Sequence, residues 1–320
     1  MTSEKKPFFS VVIPLYNKQS HVKETLESVF AQTFQDFEIV IVNDGSTDNS
    51  AKVVEAIQDN RIRVIHQNNA GVSVARNRAI KEANAEYIAF LDADDIWLPE
   101  FLETICELIE KFPDAGLYAT AYKRLKANSE ENHLNIQALA SKNYQGVIPS
   151  YFKSITQGDN IVWTSATCIP RKIFEENNIW FPEGEKYAED AYVWGRVAMK
   201  FDIIYDTKVC AIYQIEAENN TRKVSIKLRE PHKTFLMLQS FRNTIETEKI
   251  LNDFDKYMRS IFVIFIRRNI DNKEIFYAFK QIFKYKLSFL QRIKLLILIV
   301  MPSIVYDFLR NLKKYFKKGL

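Results

Sequence analysis

The sequence predicts an α/β fold built on a mostly parallel, doubly wound sheet. In the first part of the chain, four short runs rich in Val, Ile and Phe alternate with segments of helical period. This alternation is typical of parallel strands joined by helices that cover both faces of a sheet. A cluster of polar residues follows each run. Because parallel strands end at the same edge, where open α/β sheets bind ligands, we expect these clusters to form one cleft.

Each of the four runs is apolar enough to be a strand that is buried on both faces. Pro14 and Asn17 lead the first strand into a loop, and residues 43–48 join a turn to helix-capping residues after the second. The predicted strands are 9–17, 37–42, 61–65 and 87–91, and the predicted helices between them are 22–31, 50–57 and 72–83.

Three carboxylates, Asp92, Asp94 and Asp95, end the strand that begins at Tyr87. Acids this close repel one another unless a cation lies among them. A divalent metal with hard oxygen ligands, Mn²⁺ or Mg²⁺, is the natural occupant, and such ions often share their coordination shell with substrate phosphates. The alternative is a solvated acidic turn in which Asp95 caps a helix that starts near Pro99.

The glycine pattern argues against two common nucleotide-binding folds. The chain has only eight glycines, and none form a G-x-G-x-x-G or G-x-x-x-x-G-K-[ST] motif. Both motifs need glycine so that the backbone can approach phosphate closely. Phosphate charge would therefore be met by a metal and by Arg side chains.

Five motifs occur in an order that closely resembles the family 2 glycosyltransferases, which have the GT-A fold. The resemblance covers residues 8 to 215, and the last hundred residues lie outside it. The motifs are V-V-I-P-L-Y-N at 11–17, V-N-D-G-S-T-D at 42–48, A-R-N at 75–77, D-A-D-D at 92–95 and A-E-D at 188–190.

The resemblance implies inverting transfer of a sugar from a nucleoside diphosphate donor, most often a UDP-sugar, to an acceptor hydroxyl. Asp190 would be the general base, a role that a carboxylate fills well. The metal would act as a Lewis acid on the departing diphosphate, with Asp94 as its direct ligand. Asp92 would hold the ribose or the metal shell.

The same resemblance assigns the donor pocket. Pro14 and its neighbours Tyr16 and Asn17 would line the nucleoside site, and Asp44 would accept a hydrogen bond from the base. Arg76 would lie near the base or the phosphates. The full set of predicted nucleotide-sugar-binding residues is Pro14, Tyr16, Asn17, Asp44, Arg76, Asp92, Ala93 and Asp94.

Simpler interpretations stay open for several of these residues. Asp44 could be a turn residue, and Arg76 an exposed helix residue. Glu189 and Asp190 could serve only as partners of a helix dipole. Trp163, like Trp97, could stack on a sugar or pack in the core.

One stretch departs from the family pattern. Many relatives have a His about twenty residues after the Glu-Asp pair, whereas residues 210–222 contain none. Gln214 or Glu216 could replace it in the metal site, or Arg222 could neutralise the diphosphate directly.

The predicted domain organisation is a catalytic domain at 1–222 followed by a helical, basic region at 223–320. Residues 8–112 would form the nucleotide-sugar half and 113–222 the acceptor half. In the acceptor half we expect strands at 114–122 and 161–169, a flexible loop at 123–143, and helices that begin at Arg171 and Glu189.

The composition of the C-terminal region predicts that it attaches to a membrane surface. Its most apolar run, 295–301, is shorter than the roughly 20 residues that span a bilayer. Residues 291–320 contain seven Lys or Arg and one Asp, a net charge of +6, whereas the whole chain has +4. A basic, aromatic helical tail is typical of an anchor on an anionic leaflet. The alternatives are packing on the catalytic domain or on a second chain in a homo-oligomer; no nucleic-acid-binding motif accompanies the charge.

Residues 1–7 lack the apolar segment of a signal peptide, and the three cysteines have no metal or redox spacing, which is typical of reduced cytosolic thiols. We therefore expect a peripheral enzyme on the cytoplasmic face of a bacterial inner membrane that acts on a saccharide or lipid-linked saccharide for surface polysaccharide.

Two rival functions stay open. One is a nucleotidyltransferase that forms nucleotide sugars, although such enzymes normally need a Gly-rich loop, which is absent after Ile13. The other is a non-catalytic nucleotide-sugar-binding protein.

Overall fold

The computed structural model describes residues 6–125, 131–132, 143–158, 160–214 and 230–300. The chain forms two compact units. The first unit comprises residues 1–225 and 233–254, and the second comprises residues 226–232 and 255–320.

The first unit is built on a mixed sheet, and helices flank its strands along the chain. The strands are β1 (Phe9–Leu15), β2 (Phe37–Asp44), β3 (Ile62–Gln67), β4 (Tyr87–Phe90), β5 (Ile96–Trp97), β6 (Leu117–Leu125), β7 (Glu131–Asn132), β8 (Gln145–Val147), β9 (Thr167–Pro170) and β10 (Ile203–Gln214). The helices of the first unit are α1 (Val22–Phe30), α2 (Ser50–Glu55), α3 (Val72–Glu82), α4 (Phe101–Lys111), α5 (Tyr151–Gln157), α6 (Arg171–Asn177), α7 (Glu189–Ala198) and α8 (Lys233–Ser240). Helix α9 (Glu248–Asp271) has residues in both units, and α10 (Ile275–Lys284) and α11 (Phe289–Val300) belong to the second.

The strand order is β3-β2-β1-β4-β9-β6-β10-β5, with β7 beside β6 and β8 beside β10. The first four strands are mutually parallel, β9 is antiparallel to both of its neighbours, and β6 and β10 are parallel to each other. Six strands therefore run in one direction, which confirms the predicted mostly parallel sheet. The carboxyl ends of β2, β1 and β4 lie side by side, so the polar residues that follow them meet at one edge.

Burial explains why the central strands have near-continuous apolar sequences. In β1, Val11, Val12 and Ile13 are completely buried, and Ile39 to Val42 in β2 are too. Both faces of these strands are covered, as expected for parallel strands flanked by helices. The predicted strands and helices of the first hundred residues are present, with ends that differ by one or two residues.

Two interpretations of the residues beyond the first four strands need correction. The helix expected near Pro99 is present as α4, which begins at Phe101, but β5 separates it from the acidic triplet and Glu100 is at its N-cap. Asp95 therefore does not cap that helix. Residues 161–169 are not one strand, because a 3-10 turn at Thr164–Ala166 precedes β9. The turn forms because Ala166 N donates to Trp163 O at 2.9 Å.

Other expected elements of the acceptor half fall partly outside the described residues. The strand predicted at 114–122 begins only at Leu117 and extends to Leu125. Of the loop predicted at 123–143, residues 126–130 and 133–142 lie outside the described part of the chain. The helices expected at Arg171 and Glu189 begin at those residues.

Side chains of the polar clusters tie the loops after β1 and β2 together. Asn17, which adopts a left-handed φ of 51°, donates its backbone N–H to Ser46 Oγ at 3.1 Å. Its side-chain Oδ1 accepts from Thr47 N at 2.8 Å. Lys18 N donates to Ser50 Oγ at 2.7 Å. These bonds give the two loops a fixed relative position at the carboxyl edge of the sheet.

Gly45 is required at the turn that follows β2. Its φ is +68°, and a Cβ built there would lie 2.7 Å from Asn69 N. We expect Gly45→Ala to lower the free energy of unfolding by about 2 to 4 kcal/mol, because alanine meets both the left-handed backbone and a backbone atom. Chemical denaturation measures the change.

Gly184→Ala is the matched control, because Gly184 has φ +80° with nothing within 4 Å of its Cβ position. Gly184→Ala should lower the free energy of unfolding only by the cost of a left-handed backbone at alanine, about 1 kcal/mol. Equal losses for the two variants would contradict the steric role of Gly45.

Candidate functional site

Residues from both halves of the first unit meet at the carboxyl edge of the sheet. Asp92 and Asp94 lie in the loop after β4, Arg76 lies on α3, and Glu189 and Asp190 form the first turn of α7. The sheet alone does not account for this meeting, because α7 follows β4 by about a hundred residues. Specific side-chain contacts bring the two halves together.

The guanidinium of Arg76 bridges the two halves. Its NH2 group donates to Asp92 Oδ1 at 2.6 Å, and its NH1 group donates to Glu189 Oε1 at 3.0 Å. Arg76 is buried, with 3% of its surface exposed, and the guanidinium lies 5.2 Å from the centroid of the Phe181 ring. The sequence allowed an exposed helix residue here; the structure instead gives Arg76 a central position.

Burial and the neighbouring charges shift the pKa of Arg76 in opposite directions, and the same is true of Glu189 beside Arg76. Burial favours the neutral form of Arg76, but the carboxylates of Asp92 and Glu189 outweigh it and raise the pKa of the guanidinium. Burial and the neighbouring Asp190 raise the pKa of Glu189 to about 7, although Arg76 opposes them. The site therefore keeps its positive charge and holds one carboxyl poised to titrate near neutral pH.

Asp190 is the second residue of α7, which begins directly after Ala188, a residue with a left-handed φ of 57°. Ala191 N donates to Asp190 Oδ1 at 2.6 Å, and Thr164 Oγ1 lies 3.5 Å from Oδ2. Burial raises the pKa of the Asp190 carboxyl, partly offset by Arg76. The result is a carboxylate with one oxygen fixed by the backbone and a raised affinity for a proton.

Asp94 pairs with a lysine that the sequence analysis did not identify. Lys18 Nζ lies 2.6 Å from Asp94 Oδ2, and both side chains are largely buried. Burial and the charge of Asp92 raise the pKa of Asp94, whereas Lys18 lowers it. The only sequence signal for Lys18 was its position directly after Asn17, at the end of the first motif.

Asp95 has a different environment from the other two acids. Its Oδ2 accepts from the Ser165 hydroxyl and from Trp163 Nε1 at 3.0 Å, and its Oδ1 accepts from Gln214 N at 3.3 Å. The residue is almost fully buried. Burial and the two neighbouring carboxylates raise its pKa well above the ordinary value. Asp95 thus links the acidic loop to the 3-10 turn and to the end of β10.

The two tryptophans considered as sugar platforms are engaged in packing. The Trp163 ring lies against Tyr122 and Tyr213, with centroids 5.6 and 4.4 Å away. Trp97 is buried and donates its Nε1–H to Ser165 O at 2.6 Å.

Asp44 binds the loop after β3. Its Oδ1 accepts from Ala70 N at 2.9 Å and from the Gln67 side chain at 2.7 Å, and its Oδ2 accepts from Gly71 N at 2.8 Å. A carboxylate has about four lone-pair positions. These bonds join Asp44 to the loop after β3 rather than to its own turn, and they leave one position on Oδ2 without a donor among the described residues.

The remaining predicted donor residues lie around the end of β1 and the acidic loop. Pro14 is half-buried in β1, Tyr16 is 42% exposed, and Asn17 holds the loop after β2. Ala93 is buried between the acids.

Three residues were considered in place of the missing His: Gln214 and Glu216 as metal ligands, and Arg222 as a direct partner of the diphosphate. Gln214 ends β10, and its Nε2 finds no hydrogen-bond partner among the described residues. Glu216 and Arg222 lie outside the described part of the chain.

The donor set fits a divalent cation only together with a substrate. In the described ranges, no group of three or more His, Cys, Asp or Glu residues could hold a metal. One or two carboxylates are enough for Mg²⁺ or Mn²⁺ when phosphates complete the shell. Asp94 and Asp92 are of that type, although each is now paired with a cationic side chain of the protein.

Comparison with known proteins agrees with this architecture. The sequence model described as glycosyl transferase family 2 matches residues 10–177. An uncharacterized glycosyltransferase of Rickettsia conorii is 28% identical over 328 residues, which cover 97% of this chain and 51% of the relative. The chain spans about half the length of the curated relatives that it matches over most of its own length.

Two solved structures are similar in fold. Staphylococcus aureus TarS 1–349, in complex with UDP-GlcNAc, superposes with a TM-score of 0.64 at 21% identity, covering 82% of this chain and 73% of TarS. The mannosyltransferase PcManGT of Pyrobaculum calidifontis, in complex with GDP-Man and Mn²⁺, gives 0.55 at 16% identity, covering 83% and 76%.

The fold is therefore the predicted GT-A type, an α/β sheet with C-terminal helices. The chain belongs to glycosyl transferase family 2, which confirms the predicted enzyme class, glycosyltransferase.

The raised pKa of Glu189 predicts a pH-dependent stability. The folded protein binds this proton more tightly than the unfolded chain, so the free energy of unfolding falls as pH rises from about 4.5 to about 7. Linkage puts the share of Glu189 at roughly 3 kcal/mol at most. We expect Glu189→Gln to flatten this part of the profile, measured by urea unfolding at several pH values.

Glu176→Gln, at an exposed position on α6, is the control and should keep the wild-type profile. A profile for Glu189→Gln that is as steep as that of the wild type would show that another group causes the pH dependence.

Proposed function

We propose that this protein is an inverting glycosyltransferase that moves a sugar from a nucleoside diphosphate donor, a UDP-sugar, to an acceptor hydroxyl. Asp190 acts as the general base. One observation carries the proposal: Arg76 joins the acids after β4 to the first turn of α7. Donor-side carboxylates and a candidate base thereby face one another across a single buried cation.

Asp190 has the properties that the base requires. Its Oδ1 is held by Ala191 N, and its Oδ2, near Thr164, is the atom that would take the proton. The acceptor oxygen attacks the anomeric carbon while its proton passes to Oδ2. The bond from the anomeric carbon to the donor oxygen breaks, and its electron pair leaves with UDP. Burial raises the pKa of Asp190 and so strengthens it as a base.

The donor side uses the acidic loop and the loops after β1 and β2. Pro14, Tyr16 and Asn17 line the nucleoside pocket, and Asp44 offers its open Oδ2 position to the base. A Mn²⁺ or Mg²⁺ ion held by Asp94 and Asp92 would stabilise the departing diphosphate. Lys18, which pairs with Asp94, would supply a further positive charge for the diphosphate.

The ligands of the fold neighbours guide the choice of donor and metal. TarS was solved with UDP-GlcNAc and with UDP, and PcManGT with GDP-Man and Mn²⁺. These are properties of those proteins, at identities that show fold alone. They make UDP-N-acetylglucosamine with Mn²⁺ the first pair to test here.

The acceptor that we propose is a saccharide or lipid-linked saccharide for a bacterial surface polysaccharide, such as a capsule or lipopolysaccharide. The enzyme would reach it as a peripheral protein on the cytoplasmic face of the inner membrane. No helix among the described residues is long and apolar enough to cross a bilayer.

Binding and transfer measured on the same variants test the proposal. Calorimetry should show UDP binding that strengthens with Mn²⁺ in the wild type and in Asp190→Asn, but not in Asp94→Ala. With UDP-N-acetylglucosamine and a bacterial lipid extract as acceptor, UDP release should fall by about 10² to 10⁴-fold in Asp190→Asn, because the base is lost. Asp206→Asn, at the buried Asp206 of β10, outside the site, is the control.

Each rival function gives a different result. UDP binding without transfer for any UDP-sugar and acceptor would favour a non-catalytic binding protein. Release of pyrophosphate from UTP and a sugar phosphate would indicate a nucleotidyltransferase. Full transfer by Asp190→Asn would remove Asp190 as the base.

A further inference from the structure

Helix α10 has apolar side chains on two opposite faces. Ala278, Gln281 and Ile282 are buried. Phe276, Phe279 and Phe283, spaced at i, i+3 and i+7, point to solvent with 78%, 48% and 55% of their surface exposed. A helix at the surface of a soluble domain normally presents polar residues on its outer face. The exposed phenylalanines therefore form a stripe that packing among the described residues does not explain.

Helix α11 packs against α10 and has a stripe of its own. Phe289, Ile293 and Ile297 recur every four residues and are exposed, Phe289 to 80%. Of the thirteen large hydrophobic side chains exposed in the described part of the chain, nine lie between residues 275 and 297. Concentration of this kind marks an interaction surface rather than scattered surface residues. We call Phe276, Phe279, Phe283, Phe289, Ile293 and Ile297 the apolar stripe.

The charged side chains of α10 and α11 themselves have one sign. Residues 275–300 contain five basic side chains and no Asp or Glu. Lys280 and Lys286 are exposed beside the stripe, and Lys294 lies next to Ile293. Lys284 pairs with Glu230 at 3.0 Å. Phenylalanines flanked by lysines are the composition of helices that lie in the interface of an anionic membrane.

Charge also distinguishes between the two partners that could cover the apolar stripe, a second copy of this chain and an anionic membrane. A second copy of this chain would bring five positive charges against five others, and no acidic residue of the two helices would compensate them. An anionic leaflet would accept the phenylalanines and attract the lysines together.

We propose that α10 and α11 are a membrane-binding surface, in which the apolar stripe enters the headgroup region of an anionic bilayer and Lys280, Lys286 and Lys294 contact lipid phosphates. This inference adds a binding surface to the peripheral location named in the proposed function. It rests on that function in one respect, that the acceptor is bound to the membrane. Vesicle binding and sugar transfer are separate measurements, so either can fail alone.

Co-sedimentation of the full chain with lipid vesicles tests the surface. We expect binding to vesicles of phosphatidylglycerol mixed with phosphatidylcholine, and at least tenfold weaker binding to phosphatidylcholine alone. High salt should weaken the binding, because the attraction to the anionic lipid is screened. The triple variant Phe276→Ser, Phe283→Ser and Phe289→Ser should lose about tenfold or more in affinity.

The matched control is Leu236→Ser with Met237→Ser, which alters two other exposed apolar side chains, on α8. It should bind vesicles as the wild type does. If the phenylalanine variant fails to fold by circular dichroism, Lys280→Gln with Lys286→Gln and Lys294→Gln replaces it and should also reduce binding to the anionic vesicles.

Three results would overturn the proposal. The wild type could remain in the supernatant with both lipids. The substituted and control variants could bind alike. Light scattering could reveal a dimer that the phenylalanine variant disrupts while no vesicle binding occurs, which would assign the stripe to a second copy.

Discussion

Arg76 carries a permanent positive charge into the interior of the site, where it donates to the carboxylates of Asp92 and Glu189. A guanidinium does not lose its proton in a protein, so burial of this group requires acidic partners at hydrogen-bond distance. Those partners come from two distant parts of the chain. The need to pair one buried cation therefore fixes the position of α7 against the loop after β4.

The acidic triplet is organised by hydrogen bonds that differ for each of its three acids. Asp92 faces Arg76, Asp94 faces Lys18, and Asp95 accepts bonds from Ser165, Trp163 and the backbone of Gln214. Acids that would repel one another in a free turn are separated by their hydrogen bonds. Two of these partners are cationic side chains, so Asp92 and Asp94 each already face a positive charge of the protein.

The sheet could be predicted because the residues that define each strand are consecutive in the sequence. Apolar runs of strand length and the polar residues after them appear in consecutive sequence, and the first four strands follow from them. The Arg76 bridge could not be derived in this way, because it joins residues 113 positions apart and nothing in a helical segment distinguishes a buried Arg from an exposed one. Lys18 was missed for the same reason. The strand expected at 161–169 was wrong because a turn places the polar groups of Trp163 and Ser165 where both donate to Asp95, a constraint that periodicity does not encode.

A double-mutant cycle between Arg76→Met and Glu189→Leu, read as free energies of unfolding, tests the central role of the bridge most directly. The exposed pair Arg63→Met and Glu82→Leu is the reference; its atoms lie 3.1 Å apart, and its coupling should stay below about 1 kcal/mol. For Arg76 and Glu189 we predict a coupling of about 1.5 kcal/mol or more, because each single change leaves a buried charge short of a partner. Losses that add to within about 0.5 kcal/mol would show that the two residues act independently and that the bridge does not hold the site together.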